Sequence, residues 1–301
     1  MKWLLAGASG FLGNALRNQL ATDGEEVVRL VRREPVALSE FRWDPDRGTL
    51  DEQAFDGVDV VVNLCGVAVA PLPWTRSRRK LILSSRVNSG QTLARTLAAR
   101  AQISTAPILI QASGIARYGT AWSRAPHTEE SPPAKDFLAQ VVVSWEGATD
   151  EAAAAGIRVV HLRTSPVLDR SGRTFRLMRL AWRCGLGATL GDGKQRMPMI
   201  TLGDFLRVVR WAAETPAASG PYNVTILEPT TNAMFSDALA EAVGRQRRLG
   251  APAVLLRTAM GELAEQLLGD MYVIPKRLLD AGFSFTAPDV RTTIRRALHA
   301  S

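Results

Sequence analysis

Cysteine and histidine are scarce in this sequence. Its 301 residues include two cysteines, Cys65 and Cys184, and three histidines, His127, His161 and His299. None of them stands in a C-x-x-C motif or at the Cys/His spacing of a zinc site, which argues against a metal site and a disulfide framework. Few cysteines are typical of a reducing compartment, so we expect a cytoplasmic protein.

Long apolar runs are missing as well. The uninterrupted apolar runs are no longer than a strand, and Met1 is followed by Lys2 and a short stretch that ends at Gly7. Neither a membrane span nor a secretory signal fits this pattern, and we expect no membrane partner. With 46% hydrophobic residues, a chain of this length can bury the core of one large domain or of two closely associated ones.

Lysine is rare, so the basic side chains are almost all arginine. The net charge of +8 comes from 37 basic and 29 acidic residues, and only five of the basic ones are lysines. The arginines are spread along the chain and aromatic residues make up 6%, so we expect neither a stacking surface nor nucleic acid as a partner. The densest series places Arg176, Arg179 and Arg183 on one helical face, which is typical of a solvated surface.

Strand-like and helix-like patterns alternate along the first half of the chain. Strands are predicted over 2–6, 26–31, 58–64, 108–112 and 157–162, and helices over 11–20, 76–100 and 137–155. This alternation predicts an α/β fold with a doubly wound, parallel, Rossmann-type sheet. We assign 1–165 to the domain that carries this sheet, rejoined by about 200–228. The rhythm loosens in residues 166–199 and 229–301, which are assigned to a second, smaller C-terminal domain.

A glycine-rich turn follows the first predicted strand. Gly7, Gly10 and Gly13 are the first, fourth and seventh residues of a segment that leads into the first helix. In dinucleotide-binding proteins such glycines permit the tight turn, the approach of backbone to a pyrophosphate, and close packing of the helix. The helix N-terminus adds partial positive charge. The alternative is a glycine-rich turn that binds nothing.

Two arginines end the second predicted strand. Arg32 and Arg33 stand where a protein that prefers NAD usually carries an acidic residue for the ribose hydroxyls. Two guanidinium groups suit a 2′-phosphate instead, which predicts NADP(H) in preference to NAD(H). The alternative is a pair of ordinary loop arginines.

Further motifs accompany these features over nearly the whole chain. They include Gly7 to Gly13, Trp43-Asp44-Pro45, Asn63 to Gly66, Ala112-Ser113, Tyr118-Gly119, Trp145-Glu146, Leu162-Arg163-Thr164, Gly191 to Gln195 and Pro275 to Leu278. In these motifs the sequence resembles the atypical short-chain dehydrogenase/reductase superfamily. The similar branch is NAD(P)-dependent epimerase/dehydratase-like, also labelled epimerase family protein and formerly cell-division inhibitor-like.

The resemblance implies NADP(H) as the cofactor and a role for each matching residue. It also implies that the Rossmann-type domain over 1–165 is the dinucleotide-binding domain and that the smaller C-terminal domain binds the substrate. Around the pyrophosphate it places Gly7, Ser9, Gly10, Phe11 and Leu12, with Gly13 completing the turn, and it places Arg32 and Arg33 at the 2′-phosphate. Leu64 and Gly66 would flank the adenosine and its ribose, Arg86 would face the cofactor, and Ala112 and Ser113 would lie beside the nicotinamide.

The usual catalytic pair of the superfamily is missing from its usual place. Typical members carry Tyr-x-x-x-Lys on the helix after the serine-bearing strand, and the predicted helix over 137–155 contains neither residue type. Tyr272 and Lys276 have the spacing, but Pro275 interrupts the helical turn. Ser113 and Tyr118 remain as candidate catalytic hydroxyls.

Two functions are compatible with this sequence. The first is an NADP(H)-binding oxidoreductase or epimerase-like enzyme for an unidentified small molecule, with Lys80, Arg163 and Gln195 as candidate polar groups of the substrate pocket. The second, suggested by the missing pair, is a non-catalytic NADPH-sensing regulatory protein. A monomer or a homodimer fits, since the apolar run Val141 to Val143 suits either a helix pair between two copies or a core.

Overall fold

The computed structural model describes residues 1–69, 74–102, 106–246 and 249–299. The strands in these ranges are β1 (Lys2–Ala6), β2 (Glu26–Val31), β3 (Glu40–Asp44), β4 (Thr49–Leu50), β5 (Val60–Asn63), β6 (Ile108–Gly114), β7 (Val159–Thr164), β8 (Val167–Leu168), β9 (Ala188–Leu190), β10 (Ile200–Thr201), β11 (Gly220–Val224) and β12 (Leu249–Ala251). The α-helices are α1 (Phe11–Thr22), α2 (Arg76–Ala101), α3 (Phe137–Gly147), α4 (Asp150–Ala154), α5 (Arg173–Arg183), α6 (Leu202–Glu214), α7 (Asn232–Ala242), α8 (Ala253–Met260), α9 (Glu262–Leu268), α10 (Lys276–Asp280) and α11 (Val290–His299).

Eight strands form one sheet in the order β11-β7-β6-β5-β1-β2-β3-β4. β1 pairs in parallel with β2 on one side and with β5 on the other, and the pairs β5/β6 and β2/β3 are parallel too. The strand order therefore reverses at β1, which is the mark of a doubly wound sheet. The predicted Rossmann-type α/β fold, including the return of a strand near residue 222, is confirmed.

The central strands form because their apolar runs are covered on both faces. Trp3, Leu4 and Leu5 of β1 are fully buried, as are Val61 and Val62 of β5. A strand in the middle of a parallel sheet shows such a continuous apolar run, whereas a strand with one solvated face alternates. This burial fixes the carboxyl ends of β1 and β5 side by side.

The predicted helix over 137–155 is wrong in one respect, because the chain breaks it into α3 and α4. At the break, the Thr149 hydroxyl donates to the Glu146 carbonyl oxygen at 2.8 Å instead of leaving that oxygen to a continued helix. Within α3, Val141 and Val142 are buried and Val143 is 40% exposed. Core packing thus accounts for the first two valines, and a homodimer stays a prediction.

The chain divides into two compact units. Unit 1 comprises Met1–Arg117, Phe137–Arg163 and Val208–Pro221, and unit 2 comprises Tyr118–Asp136, Thr164–Arg207 and Tyr222–Ser301. The core of unit 1 packs Leu93 and Leu97 of α2 with the central strands. In unit 2, an apolar cluster that includes Phe235 of α7 and Ile294 of α11 is buried.

Unit 2 also holds two small parallel sheets, β10 with β8 and β12 with β9. The short strand β12 lies among the helices that form most of the chain beyond residue 231. In the ranges described above, none of the helices combines the length and the apolar character that crossing a bilayer would need. The domain borders assigned from the sequence stay a prediction.

Candidate functional site

The glycine turn lies where the strand order reverses. Ala6, the last residue of β1, is in register with Asn63, the last residue of β5, and the Leu64 amide donates to the Ala6 carbonyl at 2.9 Å. Gly7 follows with a φ of +82°, and a Cβ there would lie 2.9 Å from the Leu64 carbonyl carbon. Only glycine fits this position. In open α/β sheets the crevice at such a reversal is where ligands bind.

The turn passes directly into helix α1. The Gly10 amide donates to the Gly7 carbonyl at 3.1 Å, and no side chain caps the N-terminus of the helix. A Cβ on Gly13 would overlap the Gly7 carbonyl oxygen and lie 2.8 Å from the Ala8 Cα, so this glycine lets α1 pack tightly on the turn. Ser9, Gly10 and Phe11 are exposed. The uncapped first-turn amides and this cradle fit a pyrophosphate.

Arg32 and Arg33 follow β2 and are exposed. One Arg32 N–H donates to Asp46 at 3.1 Å, and the Arg32 side chain is 69% exposed. Arg33 is bound more firmly, since its two terminal nitrogens donate to both carboxylate oxygens of Glu40 at 2.8 and 2.7 Å. Arg32 therefore has the larger share of its guanidinium open to a phosphate.

Glu40 organises the loop that carries Arg33. Its buried carboxylate accepts from Arg33, from the Val36 amide at 2.9 Å and from Arg29, which lies 2.9 Å away. The hydrogen bonds from Arg33 and Val36 lower the pKa of Glu40 to about 2, and the charge of Arg29 adds to the shift. Sequence reasoning missed Glu40, because an acidic residue at the start of a strand is usually exposed.

Asn63 and its neighbours hold the end of β5 in place. The buried Asn63 amide donates to the Gln111 side-chain oxygen at 3.0 Å and to the Ser89 hydroxyl at 3.2 Å. Its own oxygen accepts from the Cys65 amide at 3.1 Å. This network ties β5 to β6 and α2, and it fixes the direction in which the chain leaves β5 with Leu64.

Arg86 of α2 packs behind Gly66. A Cβ on Gly66 would lie 3.1 Å from the Arg86 guanidinium carbon. Arg86 is buried, donates to the Ile82 carbonyl at 2.9 Å and lies over the Trp145 ring at 4.9 Å. Among the residues that the structure describes, it forms no salt bridge with a carboxylate. Burial lowers its pKa to about 10, so the site has a cation that an anionic ligand would stabilise.

Ser113 of β6 is part of a buried polar cluster. Its hydroxyl donates to Glu146 Oε1 at 2.7 Å, and Glu146 is paired with Arg163. Arg163, a candidate substrate group, is buried and used in this pair, while Lys80 on α2 is exposed. Glu146 is a second residue that sequence reasoning missed as a site residue, although the Trp145-Glu146 motif was visible.

Tyr118 and Gln195, the other two candidates, lie in unit 2. The buried Tyr118 hydroxyl donates to Asn223 at 2.7 Å, and its ring stacks on His127 with 5.2 Å between centroids. Burial lowers the pKa of His127 below its ordinary value, and the charge of Arg196 adds to the shift. The Gln195 amide donates to the Leu190 carbonyl at 3.0 Å.

Tyr272 and Lys276 have the Tyr-x-x-x-Lys spacing, but the two residues do not share a helix. Helix α10 begins at Lys276, with Pro275 as its N-cap residue, so Tyr272 lies outside the helix. α3, the first α-helix after β6, has neither tyrosine nor lysine in its sequence. Ser113 and Tyr118 stay the predicted catalytic hydroxyls.

Two family descriptions match the chain. The NAD dependent epimerase/dehydratase family matches residues 3–225, and a domain of unknown function, DUF1731, matches residues 251–297. An epimerase family protein of Mycobacterium bovis is 40% identical over 282 residues, which cover 93% of this chain and 92% of that protein.

Two solved structures are similar to nearly the whole chain. The crystal structure of human epimerase family protein SDR39U1 (isoform 2) with NADPH is 28% identical, with a TM-score of 0.85 over 99% of each chain. The UDP-glucose 4-epimerase of Thermus thermophilus in complex with NAD is 21% identical, with a TM-score of 0.72 over 98% of each chain, and shows the fold alone.

Proposed function

Because this chain belongs to the NAD dependent epimerase/dehydratase family, we propose that it is an NADP(H)-binding oxidoreductase or epimerase-like enzyme that acts on a small molecule. One observation carries the proposal: the Gly7 to Gly13 turn, with an uncapped helix behind it, lies where the strand order of the sheet reverses. The NADPH in the structure of the human relative supports the choice of cofactor.

Each part of the nucleotide has matching groups in unit 1. The backbone amides of residues 9–13 would bind the pyrophosphate, and Arg32, with Arg33 beside it, would bind the 2′-phosphate. Leu64 and Gly66 would flank the adenosine ribose, and the buried Arg86 would gain the anionic partner that it lacks among the described residues. Bound NADP(H) supplies hydride chemistry at its nicotinamide, which Ala112 and Ser113 would contact.

The remaining chemistry falls to hydroxyl groups of the chain. Ser113 would hold a hydrogen bond to the reacting oxygen, with Tyr118 as the second candidate for moving a proton. Residues 166–199 and 229–301 would supply a substrate-binding domain, with Gln195 among its polar groups. Lys80 and Arg163 are the candidate polar groups in unit 1.

Nucleotide titration tests the cofactor. We expect energy transfer from the seven tryptophans to NADPH at concentrations where NADH gives little, and NADP⁺ should compete better than NAD⁺. Arg32→Ala should weaken NADPH at least about tenfold, or 1.4 kcal/mol, and leave NADH unchanged. The effect of Arg33→Ala should be smaller, because Glu40 holds Arg33. Equal losses for the two nucleotides would refute the 2′-phosphate assignment.

A non-catalytic NADPH sensor is the second candidate function. The engaged Tyr118 hydroxyl and the absence of tyrosine and lysine from α3 favour it. A sensor should keep its cellular function in Ser113→Ala and lose it when a substitution at Gly10 blocks the pyrophosphate. An enzyme should lose function in both variants and should either reduce NADP⁺ with an alcohol or oxidise NADPH with a carbonyl compound.

A further inference from the structure

A buried carboxylate lies directly behind Ser113. The distance from Ser113 Oγ to Glu146 Oε1 is 2.7 Å. Ser113 is 5% exposed, and the Glu146 side chain is 11% exposed. Both residues belong to unit 1, Ser113 near the carboxyl end of β6 and Glu146 near the end of α3. The contact is therefore a short hydrogen bond that water reaches poorly.

Arginines keep Glu146 in its charged form. Arg163 donates through Nε to Oε1 at 2.7 Å and through Nη2 to Oε2 at 2.9 Å, and Arg117 Nη1 lies 3.4 Å from Oε2. Burial acts to raise the pKa of Glu146. The hydrogen bonds and charge of Arg163, the hydrogen bond from Ser113 and the charge of His161 nevertheless bring this pKa below its ordinary value. A charged carboxylate accepts hydrogen bonds and donates none.

The direction of the Ser113 hydroxyl follows from this. A hydroxyl has one proton and two lone pairs, and the proton of Ser113 is committed to Glu146. Only lone pairs are left for a ligand. A ligand that approaches Ser113 thus meets an acceptor, whereas a carbonyl oxygen would need a donor there.

We propose that Glu146 is a positioning residue that fixes Ser113 as a hydrogen-bond acceptor, so that Ser113 selects an alcohol hydroxyl rather than a carbonyl oxygen. This inference rests on the proposed function and names the substrate class of the same site. The substrate is bound as an alcohol whose hydroxyl donates to Ser113 Oγ. A carbonyl compound of the same shape would leave its oxygen facing a lone pair and would bind more weakly.

The substitution Glu146→Gln separates this role from a merely structural one. The introduced amide keeps the size of the side chain but has one acceptor oxygen and one donor nitrogen. The amide oxygen is favoured at the Oε2 position, where it accepts from Arg163 Nη2, because a nitrogen there would face the donors of both Arg163 and Arg117. The nitrogen then takes the Oε1 position beside Ser113, whose proton is released toward the ligand. The preference of the site is then expected to change from alcohol to carbonyl. Ser113→Ala should remove the preference in either direction.

Ligand-observed saturation-transfer NMR measures this preference. The probes are two pairs that differ at the oxygen, cyclohexanol with cyclohexanone and benzyl alcohol with benzaldehyde. Each alcohol is added with NADPH and each carbonyl compound with NADP⁺, so that no pair reacts. Wild type should give at least a threefold larger signal for the alcohol of one pair, and Glu146→Gln should reverse the order. Equal signals for the alcohol and the carbonyl compound in both pairs, including no signal for either, would overturn the proposal. A folded Glu146→Gln variant that still favours the alcohol would overturn it too.

Infrared spectroscopy gives a readout that needs neither nucleotide nor substrate. With carboxyl-labelled glutamate, the difference spectrum between wild type and Ser113→Ala should show a shifted carboxylate band, because Glu146 loses a hydrogen bond. Ser144→Ala, an exposed serine on the same helix, should show none and is the matched control. If Ser113→Ala shows no band shift, the proposal is overturned. This test does not need the Glu146→Gln variant, so it holds even if that variant fails to fold. Failure of the proposed function appears separately, as absent nucleotide binding in wild type.

Discussion

Single glycines of this chain face very different surroundings. Gly13 in α1 has the Gly7 carbonyl oxygen where a Cβ would go. A Cβ on Gly203 in α6 would have no atom of the described residues within 4 Å beyond its chain neighbours and its own helix backbone. Gly13→Ala should lower the free energy of unfolding by about 1 to 3 kcal/mol through overpacking. Gly203→Ala, the matched control in another helix, should raise it by up to about 1 kcal/mol. Urea unfolding measures both, and equal changes would contradict the steric account of the turn.

Glu40 gives the protein a specific sensitivity to acid. Its pKa of about 2 in the folded chain lies below the ordinary value of 4.5, because Arg33 and the Val36 amide bind the charged form. Stability from this group is therefore fully present above pH 4.5 and is lost as the pH falls toward 2. Glu40→Gln should flatten the pH dependence of stability in that window.

Urea unfolding at a series of pH values between 2 and 7 checks this expectation. Glu228→Gln, which replaces an exposed carboxylate of unit 2, is the control and should leave the slope of wild type intact. A Glu40→Gln variant that loses stability with acid as steeply as wild type would show that Glu40 is not the group that titrates.

Helix α2 carries a buried cation that we predict to serve binding rather than folding. Arg86 lacks a carboxylate partner among the residues described, and leaving a charge buried in this way is costly. Arg86→Met keeps a long side chain against Trp145 and Gly66 while removing the charge. We expect stability equal to or above that of wild type, together with a loss of NADPH affinity of at least about tenfold.

Thermal unfolding and nucleotide titration of the same sample measure the two effects of Arg86→Met. Arg95→Met, on the exposed side of α2, is the matched control and should change neither strongly. If Arg86→Met instead unfolded readily and the surviving protein bound NADPH as wild type does, the arginine would be a structural element of α2.

Elements whose signals are local could be predicted from the sequence. The bounds of β1 and β2 agree with the prediction, because turns close both strands. β1 is a buried apolar run, and β2 alternates, with Val28 and Leu30 buried. Strand β3 was missed, since its first residue is Glu40, which is buried only through partners elsewhere in the chain. The break between α3 and α4 depends on the hydrogen bond of one hydroxyl, that of Thr149.

In the candidate site, too, the contiguous features could be predicted from the sequence and the contacts between distant residues could not. The turn from Gly7 to Gly13 is contiguous, so its spacing alone predicts the strand–turn–helix unit that the structure contains. The pair of Ser113 and Glu146 joins residues 33 positions apart, and it exists only because α3 packs on β6. Periodicity places each residue on an element, but it does not tell which side chains of two packed elements meet.

At the scale of the whole molecule, the residues assigned to the nucleotide are confined to unit 1. They come from the ends of β1, β2 and β5, from α1 and α2, and from β6. A ligand that binds only the folded protein slows the opening of the region that it contacts. Nucleotide binding should thus slow opening in unit 1 more than in unit 2, whereas a change in overall stability would not single out unit 1.

Hydrogen–deuterium exchange with mass spectrometry tests this expectation. At NADPH concentrations of about 100 Kd, opening of the binding region should slow by up to about 100-fold, or 2.7 kcal/mol. Peptides covering 7–13, 64–66 and 112–113 should gain protection, whereas peptides of α7 and α11 in unit 2 should change less. NADH at the same concentration is the control and should protect little. Protection centred on α11 would place the nucleotide in unit 2 and would remove the glycine turn from the site.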